Sequence, residues 1–266
     1  MKKQFVFILL LIFNLSSFAQ KESKGEKVHL DQADELEGAV IDVIKIRILR
    51  GNVIFSQDGM KLYCDSAYQY IETSDVDAFG HVKIVQDDLT ITGKKLHYNG
   101  KTKIAKMRKD VVMVDPKMTL TTDYLDYNMN TRVGYYFNNG KIVYRKNTLI
   151  SEKGRYNTIT KMLYFKNKVN LKNPDYELWC DTLNYSTTKE IAYFVGPTDI
   201  VSKGTKLFAN KGTYNTILGE SHFESQAAIN DTNYRLSGDS IFYNEKTKVG
   251  WAFGNVELFI KKDSIK

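Results

Sequence analysis

A leucine or isoleucine returns every 29 residues: Leu62, Ile91, Leu120, Leu149, Leu178, Leu207 and Leu236. Seven anchors in fixed register, with no insertion between them, require stacked supersecondary units that bury their apolar faces only against neighbours. Other positions follow the same period. Two residues after the anchor comes a small residue (Cys64, Gly93, Thr122, Ser151, Cys180, Ala209, Gly238), then a mostly acidic or polar one (Asp65, Lys94, Asp123, Glu152, Asp181, Asn210, Asp239). Seven after the anchor stands Tyr98, Tyr127, Tyr156, Tyr185, Tyr214 or Tyr243, with Gln69 the exception. Stepping back from Leu62 adds a degenerate first unit at Ala33, so eight units run over 33–264.

Each unit reads as strand. Leu89-Thr90-Ile91-Thr92-Gly93 alternates with period two, and Thr, Val, Ile and Tyr dominate throughout. The apolar parity breaks between the small position and the residue three later, which signals a bulge or corner. Mid-unit turns are marked by Asn99-Gly100, Asn128, Asn157 and Asn244, where Asn and Gly suit positive φ. A second turn carries Pro116 and Pro174. The expectation is one bent hairpin per unit. Eight units give about 16 antiparallel strands in an elongated open sheet roughly 75 Å long. A parallel β-helix with one 29-residue rung per turn is the competing fold.

The first 19 residues read as a secretory signal peptide. Lys2 and Lys3 precede the apolar run from Phe5 to Phe13, and Ser17-Phe18-Ala19 makes a cleavage site before Gln20. That run is too short to span a bilayer, and without a lipobox cysteine it argues against N-terminal lipidation. Residues 20–32 are polar and read as a flexible lead-in. Losing Lys2 and Lys3 lowers the formal charge from +7 to +5, a mild bias that fits lysines on a solvated sheet; export argues against nucleic acid. Two cysteines in an exported chain invite a disulfide. Cys64 and Cys180 hold one register four units apart, about 40 Å at the expected stacking, too far to bridge.

No catalytic set emerges. The four histidines fall in four registers, and H-E-x-x-H, G-x-S-x-G, P-loop and C-x-x-C motifs are absent. The ladder at Asp65, Asp123, Glu152, Asp181 and Asp239 reads as corner residues bonding nearby backbone N–H groups rather than as metal ligands, because Lys94 and Asn210 fill the same slot. We therefore expect no enzyme, no cofactor and no metal. The informative residues are apolar. Leu96, Tyr98, Leu125, Tyr127, Tyr156, Leu183, Tyr185, Tyr214, Ile241 and Tyr243 are the candidates for lining a groove suited to an acyl chain. Open ends would present unpaired strands, especially over Trp251–Ile260, for pairing with another sheet.

The repeated Gly51-Asn52-Val53 and Gly254-Asn255-Val256 elements, and Leu62-Tyr63-Cys64-Asp65-Ser66-Ala67-Tyr68 followed by Ala78-Phe79-Gly80-His81-Val82, resemble the LptA/OstA family. The resemblance covers roughly 33–264. It implies a β-jellyroll in the periplasm of a Gram-negative cell, bridging or shuttling lipopolysaccharide to the outer membrane. Acyl chains would lie in the apolar interior, and partners would be other jellyroll-domain envelope proteins, or further copies head to tail, joined edge to edge. The rival expectation is a structural rod or scaffold that transports nothing. A continuous apolar trough would favour transport; a filled interior would favour the rod.

Overall fold

The computed structural model describes residues 27–261. The expected signal peptide lies outside them. Every strand pairing is antiparallel, which excludes the parallel β-helix. Fourteen long strands, β3 (Ile44–Gln57) to β16 (Tyr234–Asn244), follow one another in chain order across a single sheet. Two short strands finish each end. β1 (His29–Gln32) and β2 (Glu35–Ile41) divide the outer edge of β3 between them. β17 (Val249–Phe253) and β18 (Glu257–Ile260) divide that of β16. The fold is thus an open all-β jellyroll made from one antiparallel sheet. Residues 29–32 of the expected lead-in are strand, because β2 covers only the first half of β3 and leaves the second half to be paired.

Burial explains the bend. In β4 (Met60–Tyr70), Met60, Leu62 and Cys64 are buried, and the phase then shifts so that Ala67 and Gln69 are buried too. The ladder register jumps at the same place, between Arg50 and Val53 on β3 and between Tyr63 and Ser66 on β4. Each strand therefore has two arms at an angle, and the inner faces of both arms enclose one continuous core.

The corner has a defined backbone cause. Eighteen and nineteen residues after every anchor but Leu178 the returning strand takes two consecutive positive φ values, as at Gly80 (68°) and His81 (38°), Lys109 (65°) and Asp110 (51°), and Asn167 (66°) and Lys168 (50°); after Leu178 only Gly196 (95°) does, because Pro197 follows it. The Gly-Asn-Val elements are these corners, because Gly and Asn enter that region at low cost. The residue three after the anchor binds across to the corner. Asp65 Oδ2 lies 2.8 Å from His81 Nδ1, Asp239 accepts from Asn255 Nδ2 at 3.0 and 3.2 Å, and Glu152 accepts from Asn167 Nδ2 at 3.2 Å. Lys94 reverses the charge and pairs with Asp110. The expected bonds to backbone N–H occur at Asp123, which accepts from Asp110 N at 3.2 Å. At Asp65, Glu152 and Asp239 a side chain on the neighbouring strand has replaced them.

The asparagine turns also differ from the expected tight hairpin. Asn128 and Asn157 are not left-handed; each uses Oδ1 to accept two backbone N–H groups, all four bonds at 2.9 Å. Positive φ falls four residues later, at Lys103, Arg132, Lys161 and Glu190. Lys103, Arg132 and Lys161 donate their N–H to the turn-opening asparagine, and the carbonyls of all four accept from the next turn, as Arg132 O does from Thr158 N at 2.9 Å. The turns thereby continue the sheet's hydrogen bonding beyond the strands. Pro116 and Pro174 sit in the two-residue turns of the opposite row, where no ladder donor is required.

A Cβ at Gly80 would fall 2.2 Å from Asp65 Oδ2, in addition to its φ of +68°. We expect Gly80→Ala to cost about 2–3 kcal/mol, strain and clash together. Asn138→Gly, at the equivalent corner with φ 71°, should cost nothing or stabilise slightly. Urea denaturation of the two variants checks this.

Candidate functional site

The two rows of turns close on one another and form a mouth along the length of the molecule. Two registers bridge it. After Ile91, Leu149 and Leu178 the tyrosine seven residues on meets the residue five before the previous anchor. Tyr98 donates to Gln57 Oε1 at 2.6 Å, 41 residues away in sequence. The rings of Tyr144 and Tyr185, the same distance apart in sequence, stand edge to face at 6.0 Å. Tyr185 also donates to Glu190 Oε2 at 2.8 Å, and Tyr214 to Glu245 Oε2 at 3.2 Å. The facing column of Gln57, Gln86, Asp115, Tyr144, Asn173 and Ser202 is a polar seam with the same period as the anchors, which extending the register five residues backward would have revealed.

Outside that seam runs a row of ion pairs. After Ile91, Leu120, Leu149 and Leu178 the left-handed residue twelve further on reaches across to the opposite turn. Lys103 pairs with Asp58, Arg132 Nη2 lies 2.6 Å from Asp87 Oδ2, and Lys161 Nζ lies 2.6 Å from Asp115 Oδ2. Pro116 occupies the usual turn position in the third case, so the acid steps back one residue. The fourth pair is reversed, with Arg145 Nη1 2.9 Å from Glu190 Oε1. The sequence reading missed this row because its members differ in identity and sign while sharing position.

All ten candidate groove residues point into the core. Leu96, Tyr98, Leu125, Tyr127, Tyr156, Leu183, Tyr185, Tyr214 and Ile241 are buried, and Tyr243 is partly so. The structure brings them together as two adjacent inward columns. They line no open trough, however, because side chains of the two arms occupy the space between them. Tyr176 and Tyr214 meet across the mouth at 4.9 Å, and Leu125, Tyr127 and Tyr185 have no exposure at all. Two candidates border mouth cavities: Tyr156 beside one of about 340 Å³ with Asp115, Tyr144 and Lys161, and Tyr243 beside one of about 310 Å³ near the C-terminal end.

Burial sets the ionisation of the interior. It is the main cause that raises the Tyr156, Tyr185 and Tyr214 phenols, with Asp115, Glu190 and Glu245 respectively adding to it. Tyr136 and Tyr144 are pushed up to about 12 in the same way. Cys64 and Cys180 are free and buried, their thiols also raised to about 12 by burial, the environment of inert core residues. Among the described residues no group of three or more His, Cys, Asp or Glu could hold a metal, and no helix is long and apolar enough to cross a membrane.

The model of the OstA-like protein family matches residues 25–181 and 177–239. The chain belongs to that family. The corners at Gly51 and Gly80, the turns at Asn99, Asn128 and Asn157 and the row of ion pairs lie inside the matched region of this OstA-like chain. It is also similar to a crystal structure of LptH, described as the LptA-homologous periplasmic component of the lipopolysaccharide transport device of Pseudomonas aeruginosa. The identity is 13%, the TM-score 0.41, and the match covers 44% of this chain and 95% of that one. No curated protein matches the chain in sequence.

Phenols and thiols raised on folding ionise first in the unfolded chain. Their contribution to stability is therefore complete below their unfolded values, about 8.5 for Cys and 10 for Tyr, and is lost as the pH approaches 12. We expect the denaturant midpoint to fall between pH 9 and 12. Equilibrium unfolding monitored by circular dichroism across that range checks it.

Proposed function

We propose that this protein is a non-enzymatic periplasmic carrier that binds lipopolysaccharide or another acylated lipid by parting its mouth and receiving acyl chains between the arms. The supporting observation is the contrast between core and mouth. The core is a continuous column of Leu, Ile, Phe and Tyr, whereas the mouth is shut by a polar seam and a row of partly exposed ion pairs. A pair such as Arg132 with the exposed Asp87 contributes about 0–1 kcal/mol, while those of the buried Asp115 and Glu190 cost more to part. Burying a 12-carbon chain supplies about 10 kcal/mol, at about 0.8 kcal/mol per CH₂. Acyl chains that replace arm-to-arm contacts keep the inner faces covered, so the energy favours opening for a lipid and closure without one. Membership of the OstA-like family supports the same reading.

The ends supply the partners in this reading. Leu36, Val40 and Ile41 on β2, and Trp251, Phe253, Leu258 and Ile260 on β17 and β18, are large apolar side chains exposed on edge strands. Another jellyroll-domain envelope protein, or a second copy, would extend the sheet there. A second reading keeps the ends and discards the cargo. The filled interior favours a structural rod that scaffolds the envelope.

Two measurements separate these readings. A photocrosslinking phenylalanine analogue at position 156, which points inward, should capture lipopolysaccharide, and the same analogue at position 155 should not. Asp87→Cys/Arg132→Cys, joined across the mouth by a disulfide, should capture at least about tenfold less lipid and recover on reduction. Buried Cys64 and Cys180 should take no part. A folded protein that captures no lipid from position 156 and forms filaments would instead be the rod.

A further inference from the structure

The ion-pair row stops before the C-terminal end of the mouth. Carried forward in register, it sets Gly219 opposite Pro174 and then Lys248 opposite Lys203. The first position has no charge and the second has two of the same sign. Lys203 Nζ lies 3.6 Å from Asp175 Oδ1 on its own lip, both groups well exposed, so that contact does not bind the lips together. Lys203 and Lys248 both border the cavity of about 310 Å³, with Ser202, Leu207, Tyr234 and Tyr243. Leu207 is a buried anchor and Tyr243 belongs to the inward tyrosine column, so this cavity leads from the lips toward the core. Two acids also border it, and both are engaged. Asp231 accepts from Thr205 Oγ1 at 2.7 Å and from Asn233 N at 3.2 Å, while Glu245 accepts from the Tyr214 hydroxyl at 3.2 Å.

We propose that this unlatched part of the mouth is the port at which a phosphate-bearing amphiphile enters. Its phosphate sits between Lys203 and Lys248, and its chain passes Leu207 and Tyr243 into the core. Two cations facing each other across a gap repel, and an anion placed between them reverses the sign of the interaction; ammonium groups suit phosphate as point charges. Entry here breaks no ion pair between the lips, and each pair further along needs to open only after the chain has begun to occupy the core. This inference rests on the carrier reading and adds to it a point of entry and a headgroup charge.

Calorimetric titration of the full-length protein with dodecyl phosphate, dodecyl maltoside and inorganic phosphate, the amphiphiles below their micellar concentrations, tests it. The unmodified protein should bind dodecyl phosphate at least about tenfold more tightly than the neutral maltoside. Lys203→Glu/Lys248→Glu should lose that preference. Lys248→Glu alone, which completes an opposite-charge pair with Lys203, should weaken both amphiphiles by closing the port. Lys203 and Lys248 are both exposed, so folding should survive, as circular dichroism will show. Equal affinities for the two amphiphiles, or variants that bind like the unmodified protein, would overturn the port and leave the carrier reading standing. Inorganic phosphate binding as tightly as dodecyl phosphate would make this a free-anion site and also overturn the port. Failure of the unmodified protein to bind either amphiphile would overturn the carrier reading and the port with it.

Discussion

The left-handed backbone at each corner is the constraint on which the rest depends. A flat sheet of this length would expose one apolar face to water. Bending every strand at one register folds that face onto itself, so a single sheet supplies both walls of its own core. The bend is repeated by position rather than by residue. Gly80-His81, Lys109-Asp110 and Asn167-Lys168 share the backbone conformation with no residue type in common. What these corners do share is a partner on the adjacent strand, in Asp65, Lys94 or Glu152, that ties the corner down.

That distinction governs what was legible in the sequence. The anchors, the tyrosines and the phase break follow from apolar periodicity, and they sufficed for antiparallel bent strands and for the inward direction of Leu125, Tyr127 and Tyr185. The asparagines were recognised as turn residues for a reason that proved incomplete. Their side chains cap the turn, and Ser186, which stands where the neighbouring units carry asparagine, does the same by accepting from Lys189 N at 3.2 Å. The mouth was not legible, because its two sides lie more than forty residues apart and its members alternate among Asp, Glu, Lys and Arg. Charge complementarity across a gap leaves no mark in the composition of either lip.

Core and mouth differ in kind as well as in strength. Apolar contacts between the arms are non-directional and tolerate replacement by any apolar surface of similar extent. Hydrogen bonds such as that of Tyr98 to Gln57, and the ion pairs outside them, hold only in one geometry. A molecule built this way has one long seam where separation leaves the strand ladders intact, since no backbone pairing crosses it.

The reversed pair, Arg145 with Glu190, bears on a hazard peculiar to repetitive chains. Units of equal length and similar pattern can close one unit out of step with little loss of apolar contact. In this chain a slip in one direction would set Arg145 against Lys161, and in the other Asp115 against Glu190. Either error brings like charges together. One exchange of sign thus acts as a key cut into an otherwise uniform zip fastener, letting its teeth mesh at a single setting.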